Sequence, residues 1–87
     1  MRIKKEVVAR RVADEYLLVP IGEAVIDFNG LFVLTESGKL LWDAIANGAE
    51  KEELVSLLIN EYEIDRETAL EDTNAFIKKL FDMGIVE

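Results

Sequence analysis

The composition of the chain changes once, near residue 35, and that switch limits the folds open to it. Before it, β-branched and apolar residues come in short runs broken by Asp, Pro and Gly; after it, Glu, Lys, Leu and Ala dominate. Strands followed by helices, with no alternation between them, is an α+β order. The 87 residues make one domain, 1–87, with no repeat and no linker. A chain this short buries on the order of 60% of its unfolded surface, enough for one modest core. Its hydrophobic fraction of 51% is that of a globular chain.

The apolar runs predict a strand over 7–12, a turn at Asp14 and Glu15, and a second strand over 16–20. Pro20 cannot donate to a ladder and marks a strand end. In "AVIDFNGLFVLT" the Asn29-Gly30 pair between two apolar runs is a hairpin signal, because both residues tolerate positive φ. That tip sets Phe28 against Leu31, Asp27 against Phe32 and Ile26 against Val33. Ile26, Phe28, Leu31 and Val33 then share one sheet face, and Phe32 and Leu34 the other. A strand apolar on both faces is either sandwiched or waiting for a partner.

Thr35 can cap the first helix, whose Leu41, Ala44, Ile45 and Gly48 recur at helical spacing, with Trp42 and Ala46 alongside, and Asn47-Gly48 is its stop. A second helix is predicted over 50–62, with Leu54, Leu57, Leu58 and Tyr62 on its buried face. Asp65 caps the third, over about 66–83. Its main stripe is Ala69, Thr73, Phe76, Ile77 and Leu80; a second apolar stripe, Leu70, Asn74, Ile77 and Phe81, runs beside it. Gly84 ends the helix, and "IVE" is a short tail able to lie back on the sheet. A small antiparallel sheet of short strands followed by three helices describes a winged helix-turn-helix-like domain.

Charge and residue content exclude several functions. The net charge of −8 disfavours nucleic acid, which recruits Lys and Arg to its phosphates. A last helix bearing Glu67, Glu71, Asp72 and Asp82 would be repelled by a DNA backbone. With no cysteine there is neither a disulfide framework nor a thiolate site, and with no histidine the commonest general base is missing. Glu52-Glu53 and Glu71-Asp72 are adjacent on their helices and point apart rather than converging on a substrate. Ser37 and Ser56 have no base to activate them, and the isolated glycines form no phosphate loop. The expectation is a protein that is not an enzyme and carries no cofactor and no metal. No apolar run reaches the roughly 18 residues of a membrane span, so no membrane association and a cytoplasmic location are expected.

The stretches "EYLLVPIG", "VLTESGKLLWDAIANG", "EELVSLLINEYEID" and "DTNAFIKKLFDMGIVE", in this order and at these spacings, resemble the PqqD-like (pyrroloquinoline quinone biosynthesis protein D) family. This is the founding group of peptide-recognition domains that accompany enzymes modifying ribosomally made peptides. The resemblance covers most of the chain. Thr35 stands where that family commonly has asparagine, which keeps a capping oxygen. Ala49 stands where a Ser or Thr often caps the second helix, which weakens that cap. The stretch "GEAVIDFNG" is longer than in the shortest members and leaves open whether 22–30 adds a strand.

The resemblance implies a non-catalytic adaptor that captures a leader peptide by strand addition and presents it to a modifying enzyme, by analogy a radical S-adenosylmethionine enzyme. The strand that receives the peptide matches Leu31, Phe32, Val33 and Leu34, and the helix beside it is the last one. The candidate helix wall is Leu70, Asn74, Ile77 and Phe81, with Lys78 placed to pair with an acidic leader residue. Core packing competes for the same residues: it claims Leu70 first, leaves Asn74 to the groove, and could take Ile77 and Phe81 either way. A winged-helix DNA binder, or a docking module that forms a homodimer through the same strand, are the alternatives.

Overall fold

In the computed structural model, residues 2–3, 6–22 and 32–87 are described. β1 (Val7–Val12) and β2 (Glu15–Pro20) form an antiparallel hairpin, Val7 opposite Pro20 through Val12 opposite Glu15. The turn is Ala13-Asp14, one residue earlier than the Asp14-Glu15 expected, because Glu15 closes the ladder against Val12. Ala13 has φ 56°; a positive φ at the first of two central residues matches a type II′ turn, which suits the twist of the flanking strands.

β3 (Phe32–Leu34) pairs antiparallel with β2, placing Tyr16 opposite Leu34, Leu17 opposite Val33 and Leu18 opposite Phe32. Strand period two separates its side chains. Phe32, Leu34 and Leu18 are buried toward the helices, while Val33 points away and is 48% exposed. The predicted facing of Phe32 and Leu34 against Val33 is therefore seen. The Asn29-Gly30 tip, its cross-strand pairs and the question of an extra strand over 22–30 lie outside the described residues, Gly22 apart.

α1 (Glu36–Ala46) begins where Thr35 Oγ1 accepts the Gly38 N–H at 3.0 Å. It buries Leu41, Trp42 and Ile45. α2 (Lys51–Tyr62) is capped by Glu50, whose backbone N–H donates to Glu53 Oε1 at 3.2 Å. The weak cap expected from Ala49 is thus replaced by a neighbouring Glu-x-x-Glu pair. The buried face of α2 is Leu54, Val55 and Leu58. Leu57 is half-buried and Tyr62 exposed, so the true face is rotated toward Val55 from the one predicted. α3 (Arg66–Asp82) starts at Asp65, whose Oδ1 accepts the Thr68 N–H at 2.9 Å. Bonds from the Thr68 side chain and backbone hold the Asp65 carboxyl below the usual carboxylate range. α3 packs against α2 and buries Ala69, Thr73 and Leu80.

Thr73 is the polar residue in this apolar core, and its Oγ1 has no hydrogen-bond partner among the described residues. Burying a hydroxyl unpaired costs on the order of 1 kcal/mol or more. Val has nearly the same shape and the same branched Cβ. Thr73→Val is therefore expected to raise stability by about 1 kcal/mol in urea denaturation with an unchanged slope. A loss of stability would mean that the hydroxyl is satisfied within the native core.

After α3 the tail returns to the body of the protein. Ile85 and Val86 are fully buried, and Val86 pairs with Ile3 in an antiparallel bridge. The segment preceding β1 and the last residues of the chain therefore close on each other.

Candidate functional site

The sheet order is β1-β2-β3, so among the described residues β1 and β3 are its two margins. A margin strand presents half of its backbone N–H and C=O groups to whatever lies beyond it. The two margins differ in chemistry. β1 carries exposed Arg10 and Arg11, charges of the kind that blunt strand addition. β3 is Phe32-Val33-Leu34, with no charged side chain, and Val33 is exposed on its outer face.

β3 lies beside the C-terminal half of α3. A cleft of about 300 Å³ between them is lined by Phe32, Val33, Lys79, Asp82 and Met83. A second cleft of about 280 Å³ continues along α3 past Phe76, Ala75 and Asp72 to Thr35 and Ser37 at the start of α1. Lys79 lines both. Phe76 meets Phe32 edge to face, ring centres 6.0 Å apart and planes at 82°, which fixes the aromatic wall where the clefts join. A buried strand residue and a half-buried helix residue thus carry the apolar lining, and the polar groups stand at the mouth.

The residues predicted for this site fall into two groups. Val33 and Phe32 line the cleft beside β3; Leu34 is in the core and lines neither cleft. Leu31 lies outside the described residues. On α3, Leu70 and Ile77 are half-buried against the core, and Asn74, Lys78 and Phe81 are exposed. None of these five lines either cleft. At roughly 100° per residue, positions 70, 74, 77, 78 and 81 centre about half a turn away from 72, 75, 76, 79, 82 and 83. Ala69, Thr73 and Leu80, the core stripe, run between the two flanks. Phe76, Lys79 and Met83, spaced i, i+3 and i+7, were the readable sign of a row facing β3.

The charges at the cleft are unequal in their commitments. Lys78 Nζ donates to Asp82 Oδ2 at 2.9 Å, one turn along the helix, so the lysine expected to meet a ligand is tied to its own helix. Lys79, inside the clefts, makes no ion pair with the described residues. A larger cleft of about 550 Å³ at the α1–α2 corner, lined by residues such as Asn47, Ala49, Glu52, Ser56, Leu57 and Asn60, lies away from the sheet margin. No group of three or more His, Cys, Asp or Glu among the described residues could hold a metal ion. No described helix is long and apolar enough to cross a membrane.

The family model described as coenzyme PQQ synthesis protein D (PqqD) matches residues 15–86, from the first residue of β2 to the buried tail. No curated protein matches the chain. A solved structure, TbiB1 in complex with the TbiA(beta) leader peptide, is similar over 100% of this chain and 95% of that one, with a TM-score of 0.80 and 28% sequence identity.

Proposed function

We propose a function from one premise: the chain belongs to the coenzyme PQQ synthesis protein D family. It is a peptide-binding adaptor that captures the leader segment of a ribosomally made precursor and hands that precursor to a modifying enzyme. The observation that carries this reading is the β3 margin set beside α3 with an aromatic-lined cleft between them. It gains support from a structure that is similar along the whole chain and whose protein holds a leader peptide.

In this mechanism the leader adds to β3 as a further strand. Backbone N–H and C=O groups supply affinity that is indifferent to sequence, and side-chain sites supply choice. Residues of the leader that point toward the helices continue the face of Phe32 and Leu34 and meet Phe76, Lys79 and Met83. Those on the other face lie beside Val33. The site residues proposed are therefore Phe32, Val33, Phe76, Lys79, Asp82 and Met83. The adaptor performs no chemistry and needs no cofactor. The enzyme it serves, a radical S-adenosylmethionine enzyme, supplies both, in the cytoplasm where the precursor is made.

Titrating isotope-labelled protein with synthetic leader segments of ribosomally made precursors tests the reading. Amide shifts are expected in 32–34 and along 76–83; shifts confined to the α1–α2 corner would defeat it. Val33→Glu sharpens the test. Val33 is half-exposed, so its loss changes folding stability by less than about 1 kcal/mol. A charge beside the added strand removes apolar contact and is expected to weaken leader binding roughly tenfold. Unchanged binding would separate the peptide from β3.

A further inference from the structure

We propose that Lys79 makes this adaptor selective for leaders with an acidic side chain at one fixed strand position, an inference that rests on the strand-addition reading above. Lys79 is where the two clefts meet. A strand added to β3 runs past that junction whichever way it points, so one of its inward side chains must face the ammonium.

The neighbouring charges decide what that side chain is. Among the described basic residues, Arg2, Lys39, Arg66 and Lys78 each have a carboxylate partner: Glu87, Asp43, Glu52 and Asp82. Lys79 has none. Asp82, the carboxylate sharing the β3 cleft, is already bonded to Lys78 at 2.9 Å. Asp72 lines only the far cleft, seven residues and roughly 10 Å back along the helix. The cation lining the clefts therefore has no carboxylate partner among the described residues. A peptide laid over it removes water from one side of the ammonium, and that loss is offset only if the peptide brings a carboxylate. A basic residue there would be repelled, and an apolar one would leave the charge half-covered and unpaired. In a chain of net charge −8, this cation also sets the register: within the clefts its charged neighbours are Asp72 and Asp82, which repel an acidic side chain displaced along the helix.

The geometry fixes a spacing as well. Phe76, Lys79 and Met83 all meet the inward face of the added strand, and inward residues recur every second position. The acidic residue is accordingly flanked at even spacing by apolar residues that rest on Phe32, Phe76 and Met83. A leader with acid and apolar anchors at odd spacing would present one of them to solvent.

The probe is a displayed library of short random peptides selected on the full chain. Enriched sequences are expected to share one Asp or Glu position with apolar residues an even number of positions away. Selection on Lys79→Glu is expected to exchange that acid for Lys or Arg. For an enriched peptide, Lys79→Gln should weaken binding roughly threefold to tenfold, an effect that shrinks at high salt. Amidating the acid in the peptide should cost the same in the native chain and nothing further in the variant. Circular dichroism confirms that these exposed-site variants fold. If enriched peptides show no fixed acid, or keep the same acid with Lys79→Glu, the assignment to Lys79 is overturned while the groove stands. If nothing enriches, or enriched peptides leave the 32–34 amides unshifted, the strand-addition reading itself fails.

Discussion

Ile85→Ala is expected to lose about 3 kcal/mol of folding stability, within the range seen when a fully buried Ile is truncated. The residue lies beyond the last helix, where a chain end would ordinarily fray. It does not fray here because the helix stop delivers it inward. The Gly84 N–H donates to the Phe81 carbonyl and the Ile85 N–H to the Leu80 carbonyl, both at 2.9 Å. Gly84 adopts φ 70°, which a residue with a Cβ resists. This pair of bonds reverses the chain at the end of α3 and sets Ile85 on Leu80, both with no exposed surface. Val86 follows into the core, and the Arg2 and Glu87 backbones exchange two hydrogen bonds of 3.1 and 2.9 Å across the bridge. The Arg2–Glu87 side-chain pair at 3.5 Å contributes little by contrast, because both groups are largely exposed. Urea denaturation of Ile85→Ala should show a lower midpoint and an unchanged slope. A loss below about 1 kcal/mol would mean that the tail unfolds apart from the core.

How much of this was legible beforehand depended on whether a pattern had one solution or two. β1 and β2 were readable because apolar runs bounded by Asp and Pro admit one pairing; only the turn moved, by a single residue. Thr35, Asp65 and Gly84 were readable as helix limits because each satisfies backbone groups locally, without reference to the rest of the fold. Glu50 was less so: a Glu cap working with Glu53 looks, in a line of letters, like ordinary surface charge. The wall of the cleft shows the harder case. A core stripe on a helix has two flanks, and periodicity finds the stripe without saying which flank faces the sheet. The apolar flank, with Leu70, Ile77 and Phe81, drew the prediction. The flank that lies beside β3 mixes Asp72, Ala75, Phe76, Lys79 and Met83, and reads as solvent surface. On the proposed reading that mixture follows from the task, since a groove that stays open before its peptide arrives needs charge at its mouth to avoid closing on another apolar surface.

Gly38→Leu is expected to destabilise the fold by about 2 kcal/mol and to weaken leader binding as well, a combination that Val33→Glu does not produce. Gly38 sits in the first turn of α1, buried where α1, β3 and α3 converge. A Cβ placed there would stand 3.2 Å from Thr35 Oγ1, 3.4 Å from Phe76 Cε1 and 3.5 Å from Leu34 Cδ2. Ala asks Thr35 Oγ1 to yield by a few tenths of an ångström and meets Phe76 and Leu34 at about ordinary contact distance. It also gains up to about 1 kcal/mol of helix propensity over Gly, so Gly38→Ala should change stability little. Leu adds three further carbons to a space already bounded on three sides. Leu34 is locked in the core, and Thr35 is held by the bond that caps the helix, which leaves Phe76 to move. Phe76 is half-buried and lines the cleft, so its ring is expected to shift into the space proposed for the leader. Its edge-to-face contact with Phe32 is lost in the same movement. Leader binding should therefore fall roughly tenfold beyond any effect of partial unfolding, measured well below the melting temperature. If Gly38→Leu kept native stability, α1 and α3 would have room between them that this close approach denies. If it lost stability and still bound the leader normally, Phe76 would stand outside the peptide's path, and the groove would end at Lys79.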